Sequence, residues 1–355
     1  MRIGVAWIPN AAAYYRAIEP VKAMARRGHE VVGPPDDRGE LDPSRLSGCA
    51  LVHVYRRCDE QSRRTLAALA RAGVAVTYDN DDDFTAVPKE APEYRRLGGL
   101  EGERGFARSA KAAKLARVFT TTTDLLAGKY RRAGVEHVEV IGNCVQFGVS
   151  RPRVPHDGVV IGWIAGGEHR ADVARIPFVD ALKRLIAQHS DVRVECVGVD
   201  LGLPERYRHD GELHFRDLPA RIGAFDVGIA PLADIPMNRA RSDIKLKEYA
   251  ASGVPWLASP VGPYARLGEA EGGRLIPDDG WFEALERLVV NPQERRRLGA
   301  NGEAWARGQS IEAVADQWER VFAQAAGKPG EGSGGSGFVL KPGVRVQLRP
   351  RPRAR

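Results

Sequence analysis

Cysteine is scarce in this sequence. Its four residues, Cys49, Cys58, Cys144 and Cys196, include no C-x-x-C pair, so neither a zinc site nor a disulfide framework is expected. Long apolar runs are missing as well. None approaches the roughly 20 residues that a membrane span requires. The opening MRIGVAWIPN lacks the extended apolar core of a signal peptide and reads as a buried strand. A cytoplasmic location is the resulting expectation. Acidic residues are outnumbered, 46 against 53 lysines and arginines, for a net charge of +7. That balance favours anionic partners. A length of 355 residues, 43% of them hydrophobic, allows two domains with full cores.

Short β-branched runs alternate with amphipathic helical stretches, the pattern of parallel sheets with crossover helices. In the first unit the runs fall at 3–8, 30–33, 50–55, 74–79, 118–122 and 138–143. Helices are expected at 17–27 and 60–72. A stretch rich in Pro, Arg and Gly at 147–157 reads as a linker. A second unit follows, with strands at 159–164, 192–198, 226–231, 255–259 and 273–276. Two further helices are expected at 293–307 and 311–326. From residue 327 the composition turns to GEGSGGSG and then RVQLRPRPRAR, a flexible linker followed by a basic, proline-broken tail.

The densest chemistry lies in DVGIAPLADIPMNRARSDIKLKEYAASGVPWLAS. A buried strand is expected to end at Pro231, and Ser242 to cap a helix running to Ala251. Gly253 closes that helix and Pro255 opens the next strand. A helix N-terminus offers unpaired N–H groups and a partial positive charge, which suit a phosphate. Arg239, Arg241 and Lys245 add full charges beside it. Lys245 and Glu248 are three residues apart and share one helix surface. A carboxylate one turn behind a phosphate site suits two ribose hydroxyls. The segment is therefore expected to hold a nucleoside diphosphate.

This order of parts resembles the donor-binding segment of GT-B glycosyltransferases of the family-four type, glycosyl transferases group 1. Glu248 with Gly253-Val254-Pro255 matches the glutamate helix and its G-x-P turn. A bacterial and phage subgroup carries N-x-x-[KR]-S-D-I-K-x-x-E-Y, matched by Asn238, Arg241, Ser242, Asp243, Ile244, Lys245, Glu248 and Tyr249. The resemblance implies an α/β GT-B fold, with two Rossmann-like domains facing each other across a cleft. An acceptor-side domain would span 1–146, and a nucleotide-sugar domain 158–310. A crossover helix would follow at 311–326 and a basic tail at 327–355. It also implies a UDP- or GDP-sugar donor, no required cofactor or metal, and transfer with retention. One departure stands out. The family's second glutamate, which reads the donor sugar, falls here on Ala240.

Other constellations fit the same picture. Gly166 and Gly167, in IGWIAGGEHRADV, let backbone approach a ligand closely. His169 and Asp172 fall on the subgroup's G-x-x-x-H-x-x-D pattern. The expected donor site comprises Gly166, Gly167, His169, Asn238, Ser242, Asp243, Lys245 and Glu248. Tyr14, Tyr15 and Arg16 follow the first strand, where the family's acceptor-side loop lies. Arg56 ends the third strand and is expected to face the same cleft. Asp81, Asp82 and Asp83 follow the fourth strand, where active-site groups of parallel sheets gather. Adjacent carboxylates repel, so a raised pKa and a proton-handling role are expected for Asp81 or Asp82. Arg241 and Lys245 are expected to stabilise the leaving diphosphate.

Two other functions remain open on sequence grounds. One is a nucleotide-sugar epimerase on the same fold. The other is a binder of nucleic acid or a membrane surface through the basic tail. The acceptor is unidentified, with an anionic macromolecule or lipid as the class that the charge favours.

Overall fold

The computed structural model describes residues 1–34, 39–146, 153, 155–211 and 213–327. Most of the expected linker (147–152 and 154) and all of the tail after Gly327 lie outside them.

Two six-stranded parallel sheets are present. The first comprises β1 (Arg2–Trp7), β2 (Glu30–Val32), β3 (Leu51–Tyr55), β4 (Ala75–Asp79), β5 (Val118–Thr121) and β6 (Val138–Val140), in the order β2-β1-β3-β4-β5-β6. The second comprises β7 (Val159–Ala165), β8 (Val192–Gly198), β9 (Tyr207–Asp210), β10 (Val227–Ala230), β11 (Trp256–Ala258) and β12 (Gly273–Leu275), in the order β12-β11-β10-β7-β8-β9. Both are covered by helices on both faces, as parallel sheets require.

One face of the first sheet packs Ile3, Val5 and Leu51 against Met24 and against Trp318 and Phe322 of the final helix, Ile311–Ala326. The opposite face packs Val52, Val54, Tyr78 and Phe119 against Leu66, Leu69 and Tyr130. Each fully buried side chain of this size contributes about 1.5–3 kcal/mol. Trp318 belongs to this core, stacked edge-on against His53.

The helix Ile244–Ala251 is fastened to the second sheet by one residue. The Tyr249 hydroxyl donates to the Ile229 carbonyl (3.0 Å) and accepts from the Ile164 amide (3.1 Å). Its ring lies where a Cβ on Gly228 would come within 2.6 Å, so the glycine in β10 lets the helix settle onto the strand. Gly253 ends the helix at φ +64°, the left-handed conformation that glycine adopts without strain.

Three local expectations need correction. The first helical stretch begins at Ala11, capped by the Asn10 side chain, and widens into a π turn at Tyr14–Ile18 before Glu19–Arg26. The helix Ile244–Ala251 has Asp243, not Ser242, at its N-cap, with no side-chain cap bond. Strand β9 carries no β-branched run, and only the structure reveals it.

Candidate functional site

The carboxyl ends of the strands face one another across a cleft, where ligands of open α/β sheets bind. A cavity of about 460 Å³ lies there. Its walls come from both halves: Tyr15, Arg56 and Asp81–Asp83 from the first, Glu168, His169, Arg241, Ser242 and Lys245 from the second.

The second-half wall is built around Asp172. This carboxylate is buried and accepts from His169 Nδ1 (2.6 Å), the Ala233 amide (2.8 Å) and Asn238 Nδ2 (2.7 Å). It thereby binds the turn after β7 to the loop after β10. With Nδ1 donating to Asp172, His169 presents the Nε2 lone pair to Lys245 Nζ at 3.1 Å. Burial, reinforced by Lys245 and Arg241, holds His169 neutral, far below its usual pKa. Burial also lowers Lys245, with the Arg241 charge adding to it, to about 7. Arg241 is anchored through Nε to Asn238 Oδ1 (3.0 Å) and reaches Glu168 Oε1 through Nη1 (3.2 Å). Burial opposes ionisation of Glu168, but the charged groups led by Arg241 outweigh it and bring the carboxylate to about 2.

Two cations thus converge beside the N-terminus of the helix Ile244–Ala251. Asp243 faces away from them. It pairs with Lys247 at 2.9 Å and lines a second cavity of about 870 Å³ on the other side of the loop. Asn238 is buried and serves as an anchor within the wall rather than lining the cleft cavity. Glu248 is also buried, and its Oε1 accepts the Tyr15 hydroxyl at 3.1 Å.

The glycines of the turn after β7 make room for protein groups. A Cβ on Gly166 would meet Glu168 Oε2 at 2.3 Å, and one on Gly167 would meet the Pro92 ring at 3.1 Å. Pro92 belongs to a first-half segment that also crosses the cleft through Glu90, paired with Arg175 at 2.7 Å.

The first-half wall differs from expectation at Arg16. Its side chain is fully buried, held by Asp79 through Nε (3.0 Å) and Nη2 (2.6 Å). Nη1 donates to the Ile141 carbonyl (2.5 Å) and Asn143 Oδ1 (3.2 Å). It cannot hold an acceptor, because the guanidinium faces the core. Tyr14 turns to Gln146. Arg56 does line the cavity, at φ +59°, and bridges Asp81 (2.7 Å) and Asp82. Burial raises the Asp81 carboxyl, which also accepts from the Tyr55 hydroxyl at 2.8 Å. Burial pushes Asp82 the same way, but Arg56 prevails and leaves it below its ordinary value. Asp83 is a cap: it accepts from the Thr85 amide and binds Lys129 at 2.6 Å. Asp81 therefore owes its rise first to burial, and the expected repulsion from Asp82 adds to it against the pull of Arg56.

Sequence reasoning did not single out Asn143. Its carbonyl accepts from Lys247 Nζ and its amide donates to Ser242, both at 3.0 Å. It joins the first half to the start of the helix Ile244–Ala251.

A sucrose-phosphate synthase from Thermosynechococcus elongatus gives a TM-score of 0.64 at 15% identity, covering 91% of this chain and 98% of that one. HepE of Anabaena, in a complex with UDP-glucose, gives 0.65 at 14% identity, covering 91% and 99%. A glycosyltransferase from Rickettsia africae gives 0.60 at 10%, covering 92% and 99%. The chain has the GT-B fold. No family model and no curated protein matches it. Within this GT-B frame, Arg241, Lys245 and Glu248 stand in the second half and Asp81 and Asp82 in the first. Among the described residues, no helix is long and apolar enough to cross a membrane.

Proposed function

We propose that this protein is a glycosyltransferase that takes a sugar from a UDP-linked donor bound in the cleft. The observation that carries the reading is the half-buried pair Arg241 and Lys245, converging on the cavity beside a helix N-terminus. Two such cations repel and demand an anion. A diphosphate supplies one, and helix amides add to its binding. Glu248 takes the ribose hydroxyls once the Tyr15 hydroxyl gives way. UDP is favoured over GDP because HepE, of similar fold, was solved with UDP-glucose.

In this reading residues 1–146 carry the acceptor, 158–310 the donor, and 311–326 return to the first half. As the bond from the anomeric carbon to the diphosphate oxygen breaks, Arg241 and Lys245 face the charge that develops there. The acceptor oxygen bonds to the same carbon, with retention, and its proton passes to the departing diphosphate oxygen. Asp82 is ionised and its side chain is 41% exposed, so it is the carboxylate placed to orient an acceptor hydroxyl. Because first-half cations are matched by carboxylates, the reacting acceptor group is an uncharged hydroxyl.

Thermal unfolding with UDP, GDP and their sugar conjugates tests this. UDP at 100 times its Kd stabilises by about 2.7 kcal/mol. If no nucleotide raises the Tm, the reading fails. Conversion of the donor sugar without any acceptor would favour an epimerase instead.

A further inference from the structure

Glu168 sits in an unusual place for an acidic residue. Its carboxylate folds back over Gly166, where even a methyl group would come within 2.3 Å of Oε2. Oε1 lies 3.2 Å from Arg241 Nη1 and 3.8 Å from His169 Nε2. These groups, with Lys245, are the ones assigned above to the donor diphosphate. Of the other carboxylates near Arg241, Asp172 is committed to His169, Ala233 and Asn238, and Asp82 of the facing wall is paired with Arg56. Glu168 is therefore the wall's remaining anion against two half-buried cations. Its side chain is nevertheless 31% exposed, so a path into solvent is open to it.

We propose that Glu168 is a built-in stand-in for the donor's phosphate. It occupies the anion subsite of the empty enzyme and leaves when the nucleotide enters. The inference rests on the donor-site reading above. A carboxylate delivers one charge to Arg241, and a diphosphate delivers at least two, so exchange is favourable. The exchange still opposes binding, because the Glu168–Arg241 pair must break and the displaced carboxylate remains near an incoming anion. In return, the half-buried cations are never left facing each other alone. Gly166 fits this role, since its missing side chain is the space into which the carboxylate folds.

The proposal predicts an affinity change of unusual sign: removing a polar group from the site tightens ligand binding. Calorimetric titration of UDP and of inorganic pyrophosphate into wild type, Glu168→Gln, Arg241→Ala and Asp234→Asn tests it. Asp234 is an exposed acid paired with Arg239, so its variant controls for a distant change of one charge. Glu168→Gln is expected to bind both ligands about tenfold more tightly while its ligand-free Tm falls, because the cations lose their counter-ion. Asp234→Asn leaves both affinities unchanged. Equal or weaker binding by Glu168→Gln overturns the proposal. The donor-site reading survives that result if Arg241→Ala loses UDP. Should neither wild type nor Glu168→Gln bind UDP or pyrophosphate, both fall together.

Discussion

The two walls of the cleft carry similar numbers of charges and use them differently. In the first half every acid near the end of β4 is paired with a cation: Asp79 with Arg16, Asp81 and Asp82 together with Arg56, Asp83 with Lys129. In the second half Arg241 and Lys245 share Glu168, and Lys245 is lowered first by burial and then by repulsion from Arg241. A wall whose charges are settled internally is scaffold first. A wall left short of anion is prepared for one from outside.

The largest effect that sharpens this contrast lies in the settled wall. Asp79→Ala leaves Arg16 charged and fully buried, which costs about 3–5 kcal/mol. Denaturant unfolding is expected to show that loss. UDP affinity is expected to survive, and a parallel loss of UDP binding would erase the distinction between the walls. Next comes Arg241→Ala in the unsettled wall. Loss of a charge-assisted contact to phosphate weakens UDP on the order of 100-fold by calorimetry, with the fold retained.

The smallest effect is one of pH. Ligand-free Lys245 loses its proton near 7, against an ordinary value of 10.5. Between those values the unfolded chain holds a proton that the folded chain lacks, so this group's contribution to stability rises with pH there. Bound diphosphate restores the ammonium, so binding takes up a proton. UDP affinity is expected to fall by up to about tenfold per unit above pH 7. Titrations in buffers of different ionisation enthalpy read the proton directly. Lys245→Arg should flatten the profile, since a guanidinium stays charged.

What could be read from sequence depended on how local the signal was. Strands β7 and β8 are apolar over most of their lengths because both faces are covered, and such runs announce themselves. Strand β9, YRHD, is a half-exposed edge and offers no apolar period. The helix Ile311–Ala326 emerged with its bounds unchanged, since its apolar face recurs with helical spacing. The basic cluster at 239–245 was visible as a cluster. Its division of labour was not. Arg239 pairs outward with Asp234, while Arg241 turns into the cleft. Arg16 read as a ligand-binding residue because the partner that buries it, Asp79, lies 63 residues away. Glu168 and Asn143 gave no signal at all. Their meaning comes from Arg241 and Ser242, 73 and 99 residues further along.

The final helix has a consequence for the order in which the molecule is made. Ile311, Ala315, Trp318, Phe322 and Ala325 share one core with Ile3, Val5 and Leu51. Strands β1 and β3 must therefore wait, with part of one apolar face uncovered, until the helix Ile311–Ala326 has left the ribosome. Between those events the second sheet has every strand it needs, because β7 to β12 are contiguous in sequence. Domains generally fold as units during synthesis. Here the later unit is complete first, and the earlier one is sealed last.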